Sequence, residues 1–600
     1  MVALKKQSDI EKIARSKRLL PILIMFGVVF FALISKLFFV MIVKGKLYKA
    51  MQLEQSVSDI SIPAKRGNIL DRNNNLLAFS MDAYRVDIDM NALRITLKNK
   101  GLSIQALSEK LSPILNMKSS DITNILYTKS PDGNPVKYAT LARQINKSEA
   151  DKIKALNING IIVSGDIKRD YVNNNFLSGT LGFVNAEGKG VAGVEESYNN
   201  ILSGTPGKEI LETDDKKNQL PYEEPKYTAP KDGKNVQLTI DEHIQEYAET
   251  LAQKALVENK AKSVTITVMN PKNGEILAMV NKPDYNPNNP SVNISGTSTP
   301  IENLWKNNAV ENAFEPGSIF KVITSYAALS ENVVNNSTIF YDPGYVMVDG
   351  VRINEWQLSG FPPQTFPDII KNSSNVGFVD VGANLLGKEK LNKYINLFNF
   401  GKKTGIDLPG ETNGMITNIN KQKKVDVAFM AFGQEISVSA VQYLAAFNAV
   451  ANGGTWIRPH VMKEIQNPNG SIVSQYNNLG EEKILNPQIS TTLRGYLRNV
   501  VAPGQNGVGE NADVPGLDIA GKTGTAQKAD PKTGRYAPGK YMASFAGMAP
   551  YTDPKITVLV SIDEPDPSKY YAGQVAAPVA HDLFKEIFDY LQLTGDAALK

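Results

Sequence analysis

A serine followed three residues later by a lysine, Ser318-Ile319-Phe320-Lys321, forms the one S-x-x-K tetrad in this chain. Ser318 follows Glu315-Pro316-Gly317 and precedes Ile319, Phe320, Val322, Ile323, Tyr326 and Leu329, whose spacing predicts an amphipathic helix. Ser318 then falls at a helix N-terminus, with Lys321 one turn on and on the same face. In that geometry an amine can approach the hydroxyl, and the helix end favours the alkoxide that develops. A bare S-x-x-K is more often an N-cap serine beside a solvated lysine. Here Ile319 and Phe320 are expected to bury the helix start, which argues for a nucleophile.

Two further patterns follow in the chain. S-x-N occurs four times, at Ser197-Asn199, Ser291-Asn293, Ser330-Asn332 and Ser373-Asn375. Ser330 ends the helix that Ser318 begins and should point away from it. Ser373-Ser374-Asn375 precedes the apolar Val376-Gly377-Phe378, as a loop entering a core helix would, and a hydroxyl there could relay a proton. K-T-G occurs three times. Lys403-Thr404-Gly405 lies in a turn before Pro409, and Lys532-Thr533-Gly534 follows Asp530-Pro531 in a solvated loop. Lys522-Thr523-Gly524-Thr525 instead continues a strand, Leu517–Gln527. Gly524 lets that strand approach a ligand or another backbone, and Lys522, Thr523 and Thr525 offer a cation and hydroxyls to a carboxylate.

Other chemistries fit poorly. Residues 516–523, Gly-Leu-Asp-Ile-Ala-Gly-Lys-Thr, match the P-loop pattern. A P-loop needs a helix next, and Gly524, Pro531, Gly534 and Pro538 forbid a long one. Glu389 and Asn392 resemble a deacylating pair of lactamases, but the spacing is one residue short, which turns Asn392 about 100° around a helix. His243, His460 and His581 are the only histidines and lack ligand spacing, and there is no cysteine, so no metal and no cofactor is expected.

Elements must bring the three patterns together. Ser263–Met269 and Glu275–Val280 flank Asn270-Pro271-Lys272-Asn273-Gly274, a hairpin signal. Leu517–Gln527, Met542–Met548 and Lys555–Ile562 are three late strands, and Ala577–Leu591 is a closing amphipathic helix. Two early strands, three late ones and helices between predict one antiparallel sheet in an α/β/α sandwich. Asp241 is a fair N-cap for a helix reaching Glu258. Upstream, Tyr84–Met90 and Ile161–Val163 read as strands and Ile104–Leu111 as helix, while Tyr222 to Gly233, rich in Pro, Lys and Glu, reads as a linker.

Six hundred residues imply two or three folded units, and a net charge of +4 does not suggest nucleic-acid binding. Leu19–Val43 is apolar except at Ser35 and Lys36, long enough to cross ~30 Å of hydrocarbon with tilt. Lys5, Lys6, Lys12, Arg15, Lys17 and Arg18 precede it, which puts the N-terminus in the cytoplasm by the positive-inside rule. All that follows Val43 is then extracytoplasmic.

Ser318–Lys321, Ser373–Asn375 and Lys522–Thr525, in that order, are the motif set of penicillin-binding proteins and β-lactamases, and Ser-Ser-Asn as the second favours the transpeptidases. The chain resembles the class B penicillin-binding proteins over nearly its whole length after the anchor. Arg66-Gly67-Asn68-Ile69-Leu70-Asp71-Arg72-Asn73 is similar to the opening of their pedestal, and residues 269–279 to their first hairpin. Gly433-Gln434-Glu435-Ile436-Ser437-Val438-Ser439, Ala451-Asn452-Gly453-Gly454 and Gly573-Gln574-Val575-Ala576-Ala577-Pro578 extend the likeness, while Gly165–Gly182 is looser than the usual pedestal pattern. The resemblance implies a transmembrane helix (19–43) after a cytoplasmic tail (1–18), a mixed α+β pedestal of dimerisation type (44–225) and a penicillin-binding transpeptidase domain (226–600). It further implies that Ser318 attacks the penultimate D-Ala carbonyl of a stem peptide, that Lys321 takes its proton, and that Ser373 and Asn375 relay protons and hold the substrate amide. Lys522, Thr523 and Thr525 would hold the terminal carboxylate, with the Ser318 and Thr525 N–H groups as oxyanion hole. The implied partners are peptidoglycan stem peptides, β-lactam antibiotics, a polytopic membrane glycosyltransferase and other wall-synthesis proteins. A β-lactamase or β-lactam sensor, a D,D-carboxypeptidase and a catalytically silent scaffold remain the alternatives. Asp342 to Gly350 resembles division and sporulation members.

Overall fold

The computed structural model describes residues 21–45, 57–134, 136–212, 226–292, 299–477, 480–530 and 532–594. The basic tail, Leu19 and Leu20, and Asn293 and Pro531 of the motifs above lie outside the described residues.

Two compact units emerge. The first, residues 1–63 and 206–231, holds a helix over Pro21–Val43, long and apolar enough to cross a membrane. Its last turn, Phe39–Val43, is π-helical. The same unit has a three-stranded antiparallel sheet in which Gly207–Glu212 pairs with both Val57–Ile62 and Lys226–Thr228. The linker expected over Tyr222–Gly233 is therefore corrected within its described part: Lys226-Tyr227-Thr228 is a strand. Pro230 follows this short run without interrupting its ladder.

The second unit, residues 64–205 and 232–600, carries two cores. The smaller is built from Val86, Ile88, Leu93, Leu107, Leu111, Ile122 and Ile153. It lies between helices such as Ile104–Leu115 and the long strand Leu76–Asp89, which pairs with Tyr138–Ile145 and Ile161–Tyr171. The sheet continues through Ile69–Leu70 into Asn235–Leu238, Met462–Gln466 and Ile472–Gln475, so strands from both sides of position 225 share one ladder.

The Arg66–Asn73 segment is the knot of this region. Arg66 and Arg169 both bond the carboxylate of Glu195, which is wholly buried. Arg169 also reaches the Gly67 carbonyl at 2.8 Å. A Cβ on Gly67 would sit 2.0 Å from the Lys234 carbonyl oxygen, which restricts that position to glycine. Asp71 accepts the Asn73 and Asn75 amides at 2.8 and 2.7 Å, an Asx turn, while Arg72 meets Glu275 at 3.2 Å.

The larger core surrounds a five-stranded antiparallel sheet in the order Ile276–Lys282, Ser263–Met269, Ile556–Asp563, Tyr536–Ala549, Ala520–Ala529. Glu242–Glu258, N-capped by Asp241, packs against the sheet with Ala572–Thr594. Ala440–Ala451 is buried at every position and also packs on the sheet, its amide side chains Gln442 and Asn448 being hydrogen-bonded inside. Three of these elements begin three or more residues away from where the sequence places them. The strand around Lys522 starts at Ala520, because Asp518 at φ +50° and Gly516 at φ +87° turn the chain just before it. The expected Met542–Met548 begins earlier, at Tyr536, through the hairpin pair Ala529–Tyr536. The closing helix starts at Ala572, where the amide donates to Thr525 Oγ at 3.0 Å, a cap supplied by a distant strand.

Candidate active site

The turn that carries Ser318 departs from the sequence expectation in one respect. Gly317–Phe320 is a 3₁₀ turn, and the α-helix proper begins at Lys321 and runs to Ser330. Gly317, at φ +55°, makes the entry. The turn is fixed from several sides: the Gly317 amide donates to the Gly433 carbonyl at 2.9 Å, and the Tyr443 hydroxyl to the Ile319 carbonyl at 2.8 Å. A Cβ on Gly433 would meet the Gly317 oxygen at 2.1 Å, which gives that glycine its reason. Ser318 is half-buried, whereas Lys321 is fully buried.

Strand Ala520–Ala529 lies at the edge of the five-stranded sheet and runs against this turn. A Cβ at Gly524 would come within 2.8 Å of the Pro316 oxygen and 3.0 Å of the Ile319 nitrogen, so glycine is what allows the approach. An edge strand leaves backbone N–H and C=O groups free to pair with an extended peptide, the geometry of strand addition.

The third element closes the group. Ser373 sits in the left-handed region at φ +57°, uncommon for a residue with a side chain. Lys321 Nζ donates to the Ser373 carbonyl at 2.7 Å, to Ser373 Oγ at 3.3 Å and to Asn375 Oδ1 at 2.9 Å. Lys522 Nζ reaches the same Ser373 Oγ at 2.8 Å and the Thr523 carbonyl at 3.0 Å. One hydroxyl thus stands between two lysines, both 0% exposed.

Such a site cannot hold two ammonium ions cheaply. Burial pulls the Lys321 amine down to about 7, against the opposing charges of Glu355 and Asp342. Burial and then the charge of Lys321 push Lys522 well below the usual lysine range. A lysine poised near neutrality can take and return a proton, and the Lys321–Ser373–Lys522 chain can pass one along. Phe378 and Phe432 flank the Lys321 ammonium at 5.3 and 5.9 Å.

Ser318, Lys321, Ser373, Asn375, Lys522, Thr523, Gly524 and Thr525 therefore occupy one neighbourhood, with Thr525 also tied to Ala572. The K-T-G copy at 403–405 instead plays a structural part. Thr404 gives its amide and hydroxyl to Glu411 at 2.6 and 2.7 Å. Asn392 is buried against Gln422 while Glu389 is exposed. No His, Asp and Glu cluster among the described residues could hold a metal ion. His460 stacks on Tyr476.

Sequence reasoning missed Asp342, Glu355 and the role of Ser374. Ser374 is legible in hindsight as the N-cap of Asn375–Val379, accepting the Gly377 amide at 2.9 Å. Glu355 has no motif around it. Also missed was the run of rings Tyr541, Tyr570 and Tyr571, stacked at 4.0 and 4.5 Å beside Ala572.

Comparison with known proteins places this geometry in context. Residues 264–585 match the penicillin binding protein transpeptidase domain family, and residues 61–238 the penicillin-binding protein dimerisation domain family. Stage V sporulation protein D of Bacillus subtilis is 36% identical over 573 residues, covering 95% of this chain and 85% of the relative. The peptidoglycan D,D-transpeptidase FtsI of Buchnera aphidicola is 30% identical over 539 residues, 89% of this chain and 88% of the relative. Among solved structures, penicillin-binding protein 2X of Streptococcus thermophilus aligns with a TM-score of 0.70 at 27% identity, over 90% of this chain and 81% of that one. Penicillin-binding protein 3 of Mycobacterium tuberculosis, complexed with aztreonam, aligns at 0.66 and 25%, over 89% and 98%.

Proposed function

Since the chain belongs to the class B penicillin-binding proteins, with their dimerisation and transpeptidase domains, we propose that Ser318 is the nucleophile by which it performs the family's reaction. It is a peptidoglycan D,D-transpeptidase of a family that binds β-lactams. Ser318 attacks the penultimate D-Ala carbonyl while Lys321 accepts its proton. Ser373 returns that proton to the departing D-Ala, and Asn375 holds the substrate amide. Lys522, Thr523 and Thr525 grip the terminal carboxylate, Gly524 keeps the strand close, and the Ser318 and Thr525 amides stabilise the oxyanion. An amine of a neighbouring stem peptide then releases the acyl group and forms the cross-link.

The observation that carries this reading is the single Ser373 hydroxyl held between two buried lysines, next to a turn against which the Gly524 backbone rests. Glu389 is exposed while Asn392 is tied to Gln422, so the two do not act together as a deacylating pair, which favours slow loss of the drug. Labelling with fluorescent penicillin should be strong in the native protein and absent in Ser318→Ala. Equal labelling of both proteins refutes the assignment, and rapid release of hydrolysed drug identifies a lactamase instead.

The division at 44–225 and 226–600 separates pedestal from catalytic domain in this proposal. The Pro21–Val43 helix spans the membrane once, with the basic tail in the cytoplasm and the catalytic domain outside. A polytopic glycosyltransferase that supplies glycan strands docks through the anchor and pedestal. Removing residues 1–45 should abolish its co-purification, and undiminished recovery would disprove anchor-mediated docking.

A further inference from the structure

The Ser373–Asn375 loop rests on two acids that none of the three motifs contains. Asp342 ends the strand Ile339–Asp342, and Glu355 follows Val351–Asn354. They are 6% and 2% exposed. The Ser374 hydroxyl, itself fully buried, lies 2.8 Å from Asp342 Oδ2 and 3.0 Å from Glu355 Oε2. Glu355 Oε2 also accepts the Val376 amide at 3.0 Å, and Oε1 the Trp356 amide at 2.9 Å. Asp342 Oδ1 accepts the Gly344 amide at 2.9 Å. Two carboxyl groups thus converge on one serine hydroxyl directly behind the loop whose other face meets Lys321.

We propose that Glu355, assisted by Asp342, is a positioning residue for acylation: it clamps the Ser373–Asn375 loop through Ser374 and Val376 and supplies the negative field that sets the proton affinity of Lys321. The inference rests on reading Lys321 as the base. Its first half is geometric. Ser373 holds a left-handed conformation that an unsupported loop would not keep, and Ser374 and Val376 are its next two neighbours.

The second half is electrostatic. The groups facing Lys321 are Lys522 from the edge strand, Glu355 and Asp342 from behind the loop, Ser373 and Asn375 from the loop itself, and the rings of Phe378 and Phe432. A proton on Lys321 disfavours one on Lys522, and the two acids favour a proton on Lys321. Burial pushes the Glu355 carboxyl up, and the charge of Lys321 opposes that rise. The amine and the acid therefore titrate as a linked pair.

The test is the pH dependence of the rate constant for acylation by penicillin, measured on the full-length protein between pH 5 and 9 (a range chosen as about two units either side of neutral). Native protein should show a rise centred near the Lys321 transition at about 7. Glu355→Gln keeps the size and one carbonyl acceptor but removes the charge, so the rise should move to lower pH by about one unit. An unmoved midpoint with a lower plateau would leave Glu355 as a loop clamp alone and overturn the electrostatic claim. An unmoved midpoint with an unchanged plateau would overturn both halves. If melting shows that Glu355→Gln does not fold, Asp342→Asn must show the downward shift, and its absence there is equally fatal. Failure of native protein to acylate at all would count against Ser318 and Lys321 as assigned, a distinct outcome.

Discussion

Lys321→Met should slow acylation of Ser318 by penicillin about 10²–10⁴-fold, the usual cost of losing a positioned general base. Methionine keeps an unbranched apolar stem one heavy atom shorter than that of lysine, so the pocket between Phe378 and Phe432 stays largely filled. What disappears is the amine that bonds Ser373 and Asn375. The Ser373 carbonyl and the Asn375 side chain lose their donor, and the Ser373 hydroxyl keeps only Lys522. Because the amine is held near neutrality by burial, its loss removes a group that is largely unprotonated, and so able to act, at pH 8. Stopped-flow acylation at pH 8 reads the effect. A rate within about threefold of native, well short of the expected loss, would mean that another group accepts the Ser318 proton.

The second large effect lies far from the chemistry. Glu195→Ala should destabilise the second unit by about 3–5 kcal/mol, because it leaves two buried guanidinium groups without their shared carboxylate. Arg66 and Arg169 are each 6% exposed and Glu195 is 0% exposed, so water cannot replace the lost partner. Arg66 would keep the Asn199 side chain at 2.9 Å and the Glu195 carbonyl at 2.7 Å, which offsets part of the cost. The shift in urea midpoint of the purified protein measures it. A change inside about 0.5 kcal/mol, the range of ordinary surface substitutions, would show that the cluster is not a structural anchor.

The sequence made most of the catalytic scaffold legible because its signals are local. Alternation and the Asn270–Gly274 turn mark the first hairpin, and helical spacing after Ser318 marks the helix that follows it. Positional reasoning also singled out one S-x-N of four and one K-T-G of three: Ser373 and Lys522 share a hydroxyl contact, whereas Thr404 is occupied with Glu411. What stayed hidden depends on distant partners. The start of the closing helix is capped by Thr525, 47 positions earlier. Glu355 reaches Ser374 across 19 positions and Asp342 across 32, with no spacing rule to connect them. The strand Lys226–Thr228 was disguised by its prolines, since composition speaks for a linker while pairing with Gly207–Glu212 is decided by tertiary structure.

Ser318 as the acylated residue can be tested most directly by peptide mass spectrometry after penicillin treatment. Trypsin should release residues 307–321, in which Ser318 is the only hydroxyl side chain. The account predicts that the mass of one intact penicillin is added to this peptide and that fragmentation places it on Ser318. An adduct on any other peptide, or none from folded protein, would contradict it.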